Sequence, residues 1–334
     1  MRIPVRVTAI AIACGVIAVT VIAWSAANSA MRSPSAVSNV GAAVARSAAR
    51  SPQPSATPSA KPPVRIVGAP AGVQAKAAVV ADASTGTVLW SRGLDTELPI
   101  GSITKVMTAL VVIRAGDLNR EIQVPKSVIA YVSKYGGESA GLIPGDVVTV
   151  QELLEALLLP SGCDAAYTLA MAYGPGMPAF LAKMNETAKQ LGMLHTHFTS
   201  PDGLPYPTEF STFSTPADLL TLGMAAMKSA VFRSIVVQPF YQLHKGPGHH
   251  AYWWDNDNEL IGSYPGATGI KTGFTDAALH CLLFSASRDG LNLIGVVLGS
   301  PATSPGAGAT AAARVLNWGF SLPRTQQSAQ VTAG

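Results

Sequence analysis

Three strand-like runs follow one another late in the chain, ATGIKTGFTD, ALHCLLFSASRDG and LNLIGVVLGS, separated by turn residues. Far upstream, KAAVVADASTGTVLW divides into two more strands around an Asp-Ala-Ser-Thr-Gly turn. Between these groups the hydrophobic period is helical, over residues 102–115 (ending at Gly116), 150–159, 164–172, 178–191 and 216–227. Residues 305–320 close with another helix. Two strands, a block of helices, three strands and a last helix predict one antiparallel sheet built from both ends of the chain. The helical block then forms a second lobe, an α+β architecture. A cleft between lobes is a natural place for a site.

Outside residues 66–322 the composition changes. Arg2 and Arg6 precede an uncharged run over residues 7–30, whose apolar centre, residues 9–24, is followed by small residues at Ser25-Ala26-Ala27 and Asn28-Ser29-Ala30. Residues 1–30 therefore read as a signal peptide or an uncleaved membrane anchor, with the rest of the chain outside the cytoplasm. An uncleaved span would associate the chain with the membrane through its N-terminus. Residues 31–65 are rich in Ser, Ala and Pro and are expected to form a flexible linker. Residues 323–334 are polar and expected to be a disordered tail. The net charge of +4 comes with no dense basic cluster interleaved with aromatics, which argues against nucleic acid as a partner. Of three cysteines, Cys14 lies in the apolar run. Cys163 and Cys281 are expected as two free thiols rather than a disulfide.

Three short motifs could carry chemistry. In PIGSITKVMTAL, Ser102 and Lys105 are three apart and share a helix face. A serine hydroxyl is a weak nucleophile until a base takes its proton, and a lysine can be that base. Free N–H groups at the helix start would favour a developing oxyanion. The plainer reading is a capping serine and a surface lysine. In ATGIKTGFT, Lys271 and Gly273 should point one way along a strand and Thr272 the other. The lysine and hydroxyl could hold a carboxylate, the glycine would let a peptide lie close, and the N–H of Phe274 could be a second oxyanion donor. The plainer reading is a polar strand end. In LLLPSGCDAA, Ser161 could simply cap the helix after Pro160, with Cys163 buried behind it. HTHF (His195, His197) and GHHAYWWDND (His249, His250, Asp255, Asp257) could suggest a metal. The second stretch reads better as a surface loop with partly buried Trp253 and Trp254, and no metal is expected. Asp202-Gly203 reads as a turn.

Taken in order, Ser-x-x-Lys, a Ser-x-Asn-like element and Lys-Thr-Gly make the signature of active-site serine penicillin-recognising enzymes. The strings SITKVMTA, LLLPSGCDAA, HFTSPDGL, STPADLLTL, NDNELIGSYPGATGIKTGFT and LIGVVLG resemble stretches of the low-molecular-weight D-alanyl-D-alanine peptidases, the S11 serine peptidases. The resemblance implies the penicillin-binding-protein/β-lactamase-like transpeptidase fold, with a helix-covered antiparallel sheet and a mainly helical lobe. It implies that Ser102 attacks the D-Ala-D-Ala bond of a peptidoglycan stem peptide, that Lys105 takes its proton and that Ser161 relays a proton to the leaving D-alanine. Lys271 and Thr272 would hold the terminal carboxylate beside Gly273. The N–H groups of Ser102 and Phe274 would hold the oxyanion. The acyl-enzyme would pass to water or to an amine, with β-lactams as acylating inhibitors and no cofactor.

The departure is Cys163, where most of the family has asparagine. A thiol is a weak donor and acceptor and cannot replace both amide contacts. A minority of actinomycete-type DD-peptidases, described as transpeptidases, carry Ser-Gly-Cys here. With Lys105 and Lys271 near, the thiol is expected to be reactive. Two alternatives remain: a slow-turnover penicillin-binding wall protein or sensor, and a class A-like β-lactamase. The second is disfavoured because Glu186, Glu209 and Glu259 lack an asparagine four residues on.

Overall fold

The structure, a computed structural model, describes residues 68–304 and 306–323. The expected N-terminal span and linker lie outside the described residues, as does all of the expected tail but residue 323. Within them, five strands form one antiparallel sheet: β1 (Ala77–Asp82), β2 (Val88–Arg92), β3 (Ala267–Gly273), β4 (His280–Arg288) and β5 (Leu291–Ser300), in the order β2-β1-β5-β4-β3. The predicted sheet is therefore present, and its two sequence groups meet at the β1–β5 pair, where Val79 lies opposite Val296.

Side-chain alternation gives the sheet two apolar faces. From β5, Leu293 and Val297 join Ala311, Val315 and Leu316 of the last helix, while Ile294, Val296 and Leu298 face the helical block. Gly295 sits opposite Phe284, whose ring occupies the space a side chain would need.

The helices are α1 (Thr104–Ala115), α2 (Ser127–Tyr135), α3 (Val150–Leu158), α4 (Cys163–Tyr173), α5 (Met177–Gln190), α6 (Pro216–Met227), α7 (Ala230–Val236) and α8 (Ala307–Ser321). The first is buried along most of its length, from Thr104 to Val112. Apolar on nearly all sides, it is a core helix rather than a surface one. Its burial explains how a lysine in its first turn is closed off from water. A Thr149/Glu152 capping box starts α3, with bonds of 3.2 and 2.7 Å. Thr215 caps α6 just before Pro216.

Residues 249–257 are not the loop expected from their polarity. Tyr252–Asp255 pairs with Phe240–Leu243 as a β-hairpin. Its alternation buries Trp254 and leaves Trp253 half exposed, stacked on Phe240 at 4.3 Å. The Trp254 indole N–H donates to the Ala140 carbonyl.

Candidate active site

Ser102 sits in a single 3-10 turn, Gly101–Ile103, that leads into α1. The turn brings its Oγ to 2.9 Å from the Lys105 Nζ. Lys105 is fully buried, and its Nζ also donates to the Asp202 carbonyl (3.1 Å) and lies 3.4 Å from the Cys163 Sγ. A proton can thus pass directly between serine and lysine, which the spacing predicted.

The 3-10 turn lies against the end of β3, and glycines make the contact possible. A Cβ at Gly273 would stand 2.5 Å from the Ile100 carbonyl oxygen and 3.2 Å from the Ser102 nitrogen. A Cβ at Gly101 would stand 2.9 Å from the Phe274 nitrogen. The expected reason for Gly273 was close approach of a peptide. The structure adds a nearer one, the nucleophile's own turn. Gly203 packs on the far side, with φ +86°, where a side chain would overlap the Gly101 carbonyl. Asp202-Gly203 is therefore more than a turn: its carbonyl holds the lysine, and its Oδ2 accepts from Tyr131 at 2.7 Å. Burial foremost, and then the Asp202 charge, keep the Tyr131 hydroxyl protonated.

Ser161 does not cap α4. The N-cap residue is Gly162, with no side-chain bond. Ser161 instead holds a left-handed φ of 63°, and its hydroxyl is buried with no partner. A non-glycine residue in that region, with an orphan hydroxyl, is a costly arrangement found mostly at functional sites. Asp164, in the first turn of α4, accepts from the Ala140 and Leu142 N–H groups and the Ser139 hydroxyl at 2.6–2.9 Å, anchoring the adjoining loop.

Lys271 and Thr272 do not separate across the strand as alternation alone predicts. The long lysine stem folds back, and its Nζ donates to the Thr272 Oγ1 at 3.0 Å. Burial pushes the Lys271 ammonium down to about 8. Beside it, burial pushes the Asp257 carboxyl up to about 6, opposed by Lys271. The Glu138 charge adds to the rise.

Cys163 and Cys281 are both free, as expected. The expectation of reactivity is overturned for Cys163. Only 1% of it is exposed, and burial pushes its thiol up to about 12 despite the adjacent Lys105. Native protein at pH 7.5 is expected to resist iodoacetamide at Cys163 and to react there only after denaturation. Mass mapping of alkylated peptides checks this, and rapid native labelling would contradict it. The histidines tie chain segments together: His250 bonds to buried Asp146 at 2.9 Å, and His195 bonds to Glu97 at 3.2 Å.

Ser102, Ser161, Cys163, Thr272, Gly273 and Phe274 all line one cavity of about 600 Å³. Lys105 and Lys271 lie beneath its surface, at 0% and 2% exposure. Glu138, Asp202, Tyr131 and Asp257 were not singled out as site residues by the motif reading. SPDGL, already noted as a turn, contains Asp202, and GHHAYWWDND, weighed as a metal site, contains Asp257.

Residues 64–302 match the D-alanyl-D-alanine carboxypeptidase family, peptidase S11. The chain is 41% identical over 250 residues to a D-alanyl-D-alanine carboxypeptidase of Streptomyces sp. (strain K15), covering 71% of this chain and 84% of that one. It is 38% identical over 247 residues to the carboxypeptidase DacB2 of Mycobacterium tuberculosis, covering 73% and 81%. The crystal structure of the Streptomyces K15 DD-transpeptidase superposes with a TM-score of 0.72 at 38% identity, covering 76% of this chain and 100% of that one. Solved variants of that transpeptidase replace a serine and, two residues on, a cysteine, the spacing of Ser161 and Cys163 here.

Proposed function

This chain belongs to the S11 family of serine D-alanyl-D-alanine peptidases, and on that footing we propose that its reaction runs through an acyl-enzyme at Ser102. It is a serine DD-peptidase of cell-wall metabolism, in a penicillin-binding family. The observation that carries the assignment of residues is the 2.9 Å contact between the Ser102 Oγ and a lysine with no access to water.

Lys105 takes the Ser102 proton as the oxygen attacks the carbonyl between the two D-alanines. The Ser102 and Phe274 N–H groups, at the close approach of the 3-10 turn and β3, stabilise the oxyanion. The buried, unpartnered Ser161 hydroxyl donates towards the leaving nitrogen. An orphan hydroxyl costs about 1–3 kcal/mol, and the substrate relieves that cost as it binds. Lys271 and Thr272 hold the terminal carboxylate, with Gly273 leaving room and Cys163 facing the same cavity. The acyl group then passes to water or to an amine, as carboxypeptidase and transpeptidase respectively. We place the reaction outside the cytoplasm, because Arg2 and Arg6 precede the apolar run over residues 7–30. Whether cleaved or retained as an anchor, that segment would export the domain. β-Lactams would acylate Ser102 because they mimic the D-Ala-D-Ala end.

The test incubates the purified protein with a diacylated peptide ending in D-Ala-D-Ala, with and without an amine acceptor. Release of D-alanine supports the reading. No release under either condition, with normal penicillin labelling, would reject both enzymatic outcomes in favour of a slow-turnover binder.

The charge on Lys271 gives a pH dependence with a definite sign. Below about pH 8 the ammonium form dominates and attracts the substrate carboxylate; above it the charge is lost. Apparent affinity for D-Ala-D-Ala peptides is therefore expected to fall as pH rises through about 8. Acylation rates at subsaturating peptide from pH 6 to 10 check this. A matching amidated peptide should lack the inflection, and a flat profile for the free acid would count against Lys271.

A further inference from the structure

Glu138 and Asp257 are far apart in sequence and belong to none of the three catalytic motifs, yet they bracket Ser161. The Cys163 N–H donates to the Glu138 carbonyl at 2.8 Å, and the Asp257 N–H donates to the Leu159 carbonyl at 3.1 Å. The turn that carries Ser161 is thus clasped on both sides by segments bearing a carboxyl group. Both carboxyls line the cavity that holds Ser102 and Ser161. The negative charge of Glu138 acts on Asp257 and favours its protonated form. The buried, unpartnered Ser161 hydroxyl lines the same space, so the pair lies beside a polar group awaiting a ligand.

We propose that the Glu138–Asp257 carboxyl pair receives the acceptor amine, in its ammonium form, for transfer of the acyl group from Ser102. This rests on the acyl-enzyme reading above and specifies the chemistry of its second substrate: a primary amine that is cationic at neutral pH. Water carries no charge, so the pair's negative charge draws an ammonium in preference to it and favours aminolysis over hydrolysis. An ammonium has no lone pair and must lose a proton before it attacks. The pair binds it through charge-assisted hydrogen bonds and takes that first proton. The neutral nitrogen then forms the C–N bond to the acyl carbon, and the C–O bond to Ser102 breaks. The second nitrogen proton passes through the Ser161 hydroxyl and Lys105 to the Ser102 oxygen, and the pair returns its proton to solvent. Lys271 is the chief cation acting on the pair, and its positive charge favours an ionised Asp257. Once D-alanine has left with its carboxylate, the seat at Lys271 is empty and the amine can enter beside Ser161.

The experiment reads two rates from one acyl-enzyme, so that any change in acylation cancels. Acyl transfer to a primary alkylamine, protonated at neutral pH, and to hydroxylamine, which is neutral, is measured against hydrolysis. The unsubstituted chain is compared with Asp257→Asn, Glu138→Gln and the double variant. The transfer-to-hydrolysis ratio for the alkylamine is expected to fall about tenfold or more in the double variant, the size of a lost charge-assisted contact. The hydroxylamine ratio is expected to hold within about twofold. An unchanged alkylamine ratio overturns the inference. So does an equal fall for both nucleophiles, since the pair would then not be reading charge. If the unsubstituted chain forms no acyl-enzyme with penicillin or peptide, the Ser102 reading fails and this inference fails with it. A normal acyl-enzyme with an indifferent ratio fails the inference alone.

Discussion

Ser102→Ala is expected to abolish covalent labelling by penicillin, and Lys105→Met to slow acylation by about 10²–10⁴-fold, the usual contribution of a positioned general base. The two variants separate nucleophile from base. Alanine removes the oxygen that forms the bond, so no slow residual labelling should remain. Methionine keeps the oxygen and removes the group that accepts its proton. Lys105 is fully enclosed, and Met fills similar volume without a charge, a replacement that buried sites often tolerate. Its main structural cost is the Asp202 carbonyl left without its donor, about 1–3 kcal/mol. Thermal melts of both variants, run beside the labelling time courses, show whether folding survives. Persistent labelling of Ser102→Ala would reject the nucleophile. Unslowed labelling of a folded Lys105→Met would reject the base.

Gly273→Ala is expected to be nearly as damaging, although it adds one methyl group and touches no reacting atom. That methyl would sit 2.5 Å from the Ile100 carbonyl oxygen and 3.2 Å from the Ser102 nitrogen. These are main-chain atoms, so no side-chain rotation relieves the overlap. Either β3 or the 3-10 turn must move. Overpacking of this kind costs about 1–3 kcal/mol. A misplacement of about 1 Å at a reacting centre costs on the order of 100-fold in rate. Acylation by penicillin should therefore drop by about that factor, with melting lowered by only a few degrees. Ala at Gly262, where no atom lies within 4 Å, is the control for adding a methyl; its φ is positive, unlike that of Gly273, so any backbone strain falls on the control alone. Wild-type acylation by Gly273→Ala would mean that this contact does not position the nucleophile.

Long-period patterns in the sequence translated well into structure. The five strands, α1, α3, α4, α5, α6 and α8 all follow runs whose spacing shows on inspection. The ones that escaped have physical reasons. Within α2 the stripe Val128, Tyr131, Val132 and Tyr135 fills only two turns and rests largely on tyrosines, with Val128 alone fully buried, so it is too short and too polar to stand out. The hairpin at 240–255 consists of two four-residue strands around a polar loop, too short for a period to emerge. At the site, the reacting serine and both lysines were legible because their chemistry depends on local spacing. Ser161 was legible as part of a motif, but its left-handed backbone and orphan hydroxyl were not. Those arise from how the turn is held by Glu138 and Asp257, which no spacing connects. Cys163 was misjudged because proximity to lysine is visible in a motif and burial is not.

Joining β1 to β5 also affects when activity can arise. The 3-10 turn carrying Ser102 follows the first two strands, but the strand that completes its surroundings belongs to the last third of the chain. Contacts between such distant segments form slowly, because a long loop must close before they contribute anything. A chain emerging N-terminus first would hold its serine and lysine long before β3 could dock beside them. Acylating power would then appear late and abruptly, as a sign that folding has finished.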